Sequence, residues 1–177
     1  MTKRDYLKAI QIRFQHFRRQ LYERLGISHY SKTAFNGIDD KLEKYLPKQG
    51  FFIEAGAFDG CIESNTYYLE KIKGWKGVLI EPVIGNFESC LKTRPKSKVF
   101  HCGLVAPSYT NETIKFRYGG LMTSVDDLYL NEIDKKKFIS KVSKYVDPVE
   151  LEVEAKTLTA VLDDSGFSKF DFLSLDV

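Results

Sequence analysis

The run Phe51-Phe-Ile-Glu-Ala-Gly-Ala-Phe-Asp-Gly60 constrains the fold of this chain more than any other stretch of it. Its first five residues read as a strand buried on both faces, because apolar side chains follow one another with only Glu54 intervening. The glycines then bend the chain. Gly56 allows a sharp turn with no Cβ in the way, and Gly60 allows a ligand or the next helix to come close. Three more short apolar runs follow, Gly77–Ile80, Lys98–Cys102 and Phe170–Leu175. Between them lie helical patterns: Glu63–Lys73 closed by Gly74, Val83–Thr93 stopped by Pro95, and Leu158–Ser165, with Thr157 as N-cap and Gly166 as stop. The alternation predicts an α/β fold of β-α-β units, with a mostly parallel sheet and flanking helices.

Two regions depart from this rhythm. Residues 108–154 contain an alternating run, Glu112–Tyr118, then a Lys-rich helical pattern over Asp127–Tyr145 and a further strand candidate, Leu151–Ala155. They read as an insertion over the sheet edge. Residues 1–30 form a basic, amphipathic helical segment in which Leu7, Ile10, Phe14, Phe17 and Leu21 recur at spacings of 3 and 4. Residues 1–25 carry seven basic side chains against Asp5 and Glu23, a balance of +5, whereas the rest of the chain sums to −2. The stripe is expected to pack on the domain or on a second copy of the chain, with peripheral membrane contact as the other reading. No motif suggests a nucleic-acid partner. Residues 31–49 make a linker and a short helix, Ile38–Tyr45, and the main domain spans 50–177.

At 177 residues with 43% hydrophobic side chains, the chain can bury a core. It has no run of the roughly 20 apolar residues that a spanning helix needs. Cys61, Cys90 and Cys102 form no C-x-x-C pair, so reduced thiols and a cytoplasmic location are expected, without structural zinc or another metal site.

Glu81, followed by Pro82, ends the second strand 25 residues after Gly56. In a parallel sheet it stands beside the first strand's carboxyl end, where a carboxylate can accept hydrogen bonds from both hydroxyls of a ribose. An ordinary strand-end carboxylate at the surface is the alternative. Dinucleotide enzymes place three glycines as G-x-G-x-x-G around a pyrophosphate; here the third glycine is missing and Glu54 and Asp59 bring negative charge. Carboxylates suit a cofactor with an ammonium group and a sulfonium, which points to S-adenosylmethionine.

The segments Ile53–Gly60, Ser64-Asn-Thr66, Gly74-Trp-Lys-Gly-Val-Leu-Ile-Glu-Pro82, Thr157-Leu158 and Phe170–Val177, in this order, resemble an FkbM-type methyltransferase over about 50–177. The resemblance implies a Rossmann-like class I methyltransferase fold, here partial, and O-methylation of a small-molecule or carbohydrate hydroxyl. It implies that Glu54, Gly56, Ala57, Phe58, Asp59 and Gly60 line the methionine and ribose part of the cofactor, and that Glu81 and Pro82 hold the ribose. It also places Ser64 and Thr66 at the first helix start, and Asp176 at the end of the fourth strand, where methyl group and acceptor meet. Asp176 is the one catalytic candidate. Family members continue beyond this aspartate, so the sheet is expected to be incomplete at its C-terminus, with an unpaired, apolar edge at the fourth strand. Two rival functions stay open: a non-catalytic cofactor-binding or scaffold module, and an NAD(P)-dependent oxidoreductase. His101, at the third strand's end, reads either as a border of the adenine or as a structural histidine. Gly119, Gly120 and Met122–Ser124 suggest a lid.

Overall fold

The computed structural model of the protein describes residues 14, 15, 17–119, 124, 125, 136, 137, 139, 140, 143 and 149–176. The chain is helical over 17–24 (α1), and a 3-10 turn, Phe35–Gly37, leads into α2 (Ile38–Leu42). Then come β1 (Phe51–Ala55), α3 (Tyr67–Lys71), β2 (Lys76–Ile80), α4 (Ile84–Thr93) and β3 (Lys98–Phe100). The remaining elements are β4 (Gly103–Val105), β5 (Thr113–Tyr118), β6 (Ser124–Val125), β7 (Val149–Thr157), α5 (Leu158–Ser165) and β8 (Phe172–Leu175).

Four strands form a parallel sheet in the order β3-β2-β1-β8. Each central strand is buried on both faces, which is why it reads as an unbroken apolar run. Phe52 and Leu79 point to one side, packed with Tyr68 and Leu69 of α3 and Cys90 of α4. Ile53, Ala55, Val78 and Ile80 point to the other, against Val161 of α5. The first two crossovers step outward from β1 to β3; the chain then returns to lay β8 on the opposite side of β1. The order therefore reverses between β1 and β8, and open α/β sheets bind ligands outside the carboxyl ends at such a reversal. This is a Rossmann-like α/β fold.

The expected third strand, Lys98–Cys102, is two shorter strands. Pairing with β2 ends at Ile80↔Phe100, and β4 leaves to run parallel to β7 in a second sheet, β4-β7-β5-β6. Gly103 permits the departure, because a Cβ there would strike Ile114 and Phe116 of β5. In this sheet Ile114, Phe116 and Val153 form a small core while Lys115, Glu150, Glu152 and Glu154 stay exposed, the alternation of a sheet covered on one face. The strand predicted at Leu151–Ala155 extends to all nine residues of β7. Of the predicted helix over Asp127–Tyr145, residues 136, 137, 139 and 140 are helical; most of it lies outside the described residues, as does most of the suggested lid.

The helix predicted over Glu63–Lys73 begins only at Tyr67. Glu63 adopts a positive φ of 56°, and the next three residues are drawn toward Glu54 instead of winding into a turn. The helix predicted over Ile38–Tyr45 likewise stops at Leu42. By contrast α5 has the predicted bounds: the Thr157 hydroxyl accepts from the Ala160 amide at 3.1 Å, and Gly166 ends the helix. Thr157→Ala should cost about 1 kcal/mol and Thr157→Ser almost nothing; equal unfolding midpoints for the alanine variant and the wild type would contradict that capping role.

The apolar stripe of α1 does not pack on the domain, contrary to the reading of a stripe turned inward. Phe14, Phe17, Leu21 and Leu25 are exposed, and the polar face is the docked one. Arg18 lies 4.0 Å over the ring of Tyr30, Arg19 donates to the Cys61 sulfur, and Glu23 accepts from Ser31 and Tyr67, each at 2.9 Å. At the far side β8 is the sheet's edge, and Leu173 and Leu175 are exposed there, as expected for an unpaired fourth strand.

Asp39 of α2 fastens the segment that overlies the post-β1 loop. Its Oδ2 accepts from the Ala34 amide at 2.8 Å, while Oδ1 is buried without a hydrogen-bond partner among the described residues, beside a cavity of about 110 Å³ that Asn65 and Tyr68 also line. Burial pushes the carboxyl up to about 6 from 3.8. A folded-state value above the unfolded one means that the fold favours the protonated acid: this stabilisation is complete below about 3.8 and is lost as pH rises through about 6. Relative to wild type, Asp39→Asn should therefore gain about 2 kcal/mol between pH 4 and pH 7. Parallel denaturation curves for the two proteins across that range would contradict the assignment.

Candidate functional site

The loop from β1 to α3 is bound at both ends to its neighbours. The amides of Gly56 and Ala57 donate to the Ile80 carbonyl at 3.0 and 3.2 Å, so the loop starts flush against the end of β2. Gly56 has φ +81°, and a Cβ on it would run into the carbonyl oxygen of Asp176. The two strand ends at the reversal point thus touch through a glycine that no other residue can replace without displacing β8. Gly60, at φ +77°, closes the turn by donating to Ala57 at 2.8 Å, and its α-carbon faces Cys90 and Arg94.

Glu81 organises the crevice. Its Oε2 accepts from the Phe58 amide at 2.8 Å; its Oε1 accepts from the Val83 amide at 2.9 Å and, more loosely, from Asn86 at 3.4 Å. Phe58 itself is held in the left-handed region at φ 49°, an unfavourable conformation for a bulky residue that this hydrogen bond helps to fix. Burial pushes the Glu81 carboxyl up, and the backbone amides oppose that shift. A carboxylate offers about four acceptor positions, so with two strong donors bound it retains capacity for a hydroxyl. Beside it the His101 Nε2 donates to the Pro82 carbonyl at 3.0 Å, and the His101 ring stacks on Phe87 with centroids 5.1 Å apart. These contacts fix the His101 ring, and the stacked pair borders the ends of β2 and β3.

The other expected site residues divide into two groups. Asp176 stands exposed at the end of β8, its amide donating to the Ala55 carbonyl at 3.0 Å, so Gly56, Glu81 and Asp176 do converge on the carboxyl end of the sheet. Asp59 turns onto its own loop, where one oxygen accepts from the amides of Cys61 and Ile62 at 2.8 and 2.7 Å. Glu54, Ser64 and Thr66 are buried together beneath the loop. Glu54 accepts from the Ser64 hydroxyl at 2.8 Å, the Thr66 hydroxyl at 2.6 Å and the Asn65 amide at 2.7 Å. Ser64 does satisfy amides at the start of α3, those of Thr66 and Tyr67; the Thr66 hydroxyl is committed to Glu54 instead.

Sequence reasoning passed over the residue at the centre of this network. Arg94 is 0% exposed, and its guanidinium donates to Glu70 at 2.8 Å, to Gly60 and Thr66 carbonyls, and to the hydroxyls of Ser64 and Thr66. Glu54 lies 3.8 Å from it. The signal was present: Phe87, Cys90 and Arg94 follow at spacings of 3 and 4, so the inward stripe of α4 ends in a charge.

Nucleophilic thiol chemistry has no support here. Burial pushes the Cys90 thiol up to about 12 and that of Cys102 to about 11, which keeps both protonated. Among the described residues no cluster of His, Cys, Asp and Glu could hold a metal ion, and no helix is long and apolar enough to cross a membrane. The profile of the methyltransferase FkbM domain matches residues 54–177, from Glu54 to the C-terminal residue. The chain belongs to the FkbM methyltransferase family. The match takes in the Gly56–Gly60 loop, Glu81, the second sheet and Asp176, so every element of the crevice lies inside the FkbM domain. Comparison with curated proteins and with solved structures finds no match.

Proposed function

We propose that this FkbM domain binds S-adenosylmethionine across the carboxyl ends of β1, β2 and β8 and methylates a hydroxyl of a small molecule or carbohydrate. The observation that carries the reading is Glu81. A buried carboxylate, oriented by two backbone amides at the reversal point of a parallel sheet, is built to receive the hydroxyls of a nucleoside. The crevice suits the cofactor in other respects. The turn at Gly56 keeps side chains out of the angle between β1 and β8, and the carboxylates at the strand ends, Glu81 and Asp176, favour a sulfonium and an ammonium over a pyrophosphate. The stacked His101 and Phe87 provide a flat aromatic flank for a base.

When bound, the cofactor supplies an electrophilic methyl group. The protein's part is mainly alignment. Glu81 fixes the nucleoside, the loop from Gly56 to Gly60 sets the depth of the crevice, and the Glu54–Arg94 network under the loop keeps that shape. Asp176, the exposed carboxylate at the end of β8, would take the proton released by the acceptor hydroxyl. The buried, reduced cysteines agree with a cytoplasmic setting.

Incubation with methyl-labelled S-adenosylmethionine and a panel of sugars, phenols, alcohols and amines tests this reading. Label in hydroxyl-bearing acceptors, reduced by Asp176→Asn, is the expected result. Label confined to amines would overturn the oxygen assignment, and cofactor binding without transfer to any acceptor would favour the binding-module alternative.

A further inference from the structure

An amphipathic helix resting on a domain normally turns its apolar stripe inward. In α1 the docked side chains are Arg18, Arg19 and Glu23, bonded to Tyr30, Cys61, Ser31 and Tyr67. Phe14, Phe17 and Leu25 are 62%, 64% and 66% exposed, and Leu21 and Ile27 are exposed as well. The sequence repeats the spacing upstream through Ile10 and Leu7. So many large apolar side chains along one exposed line form a contact surface rather than scattered surface residues.

Charge decides between occupants. Residues 1–25 carry a balance of +5, and Arg24, exposed, flanks the stripe. A second copy laid along it would set +5 against +5. An anionic lipid surface satisfies both features at once, accepting the apolar stripe below its headgroups and the basic side chains among them. We propose that α1 docks this protein in the plane of an anionic membrane surface. Because the helix is bonded to Cys61 and Tyr67, it carries the sheet and its strand-end crevice to the membrane as one body.

Flotation of the full chain with phosphatidylcholine vesicles, with and without phosphatidylserine, tests the proposal. The chain should float with the serine-containing vesicles only, and added salt should release it. Phe17→Glu combined with Leu21→Glu should reduce the bound fraction at least about tenfold without moving the unfolding midpoint, since both side chains are already in water. Arg24→Glu should weaken binding by itself. Failure of the folded wild type to float, or equal flotation with both lipids, would overturn the proposal. So would a dimer in sedimentation velocity that the double substitution dissolves, because a second copy would then own the stripe.

Discussion

Arg94→Met should lower the folding stability by about 3–5 kcal/mol, a loss read directly as a reduced denaturation midpoint. Methionine fills much of the volume, so the cost comes from the charges left behind. Glu70 loses the partner at 2.8 Å, Glu54 loses the cation at 3.8 Å, and both carboxylates stay buried without the guanidinium that balances them. The carbonyls of Gly60 and Thr66 lose donors as well. Lysine should not rescue, because three donors on a flexible stem cannot reproduce a planar guanidinium serving five acceptors. Adding Glu70→Gln to Arg94→Met should recover a measurable part of the loss, since it removes one uncompensated buried charge. A single Arg94→Met protein as stable as the wild type would show that the network is not what holds the loop.

Glu81→Ala should weaken S-adenosylhomocysteine binding by at least about a hundredfold while leaving a cooperatively folded protein. Two losses coincide. The ribose hydroxyls lose a charged acceptor, and the Phe58 and Val83 amides lose the group that orients the loop around them. The carboxylate accepts a ribose hydroxyl best when ionised, and burial raises its titration above the usual range for glutamate. Affinity in the wild type should therefore be present at neutral pH and fall on acidification earlier than an exposed glutamate would allow; the alanine variant should not share that fall. An unchanged dissociation constant in Glu81→Ala would remove Glu81 from the site.

The parallel core was readable from the sequence because its two central strands, β1 and β2, are buried on both faces and announce themselves as apolar runs. The strand-end crevice was readable because its geometry depends on two local features, the glycine turn and the carboxylate that closes the next strand. What escaped depends on contacts distant in the chain. Arg94 acts on residues 24 to 40 positions earlier, and only the burial of α4 on the loop gives it a role. Glu54 looked like a cofactor ligand by its place in the motif, yet its oxygens are taken by Ser64, Asn65 and Thr66, which also delay the start of α3. The orientation of α1 escaped for a related reason. Hydrophobic spacing defines a stripe but not its direction, and here specific polar contacts to Tyr30, Cys61 and Tyr67 outweigh the general preference to bury it.

Calorimetric titration of the chain with S-adenosylhomocysteine, run beside an equal titration with NAD, tests the central claim most directly. Saturable heat with S-adenosylhomocysteine and none with NAD is the predicted result; tight binding of NAD, with no response to S-adenosylhomocysteine, would contradict it.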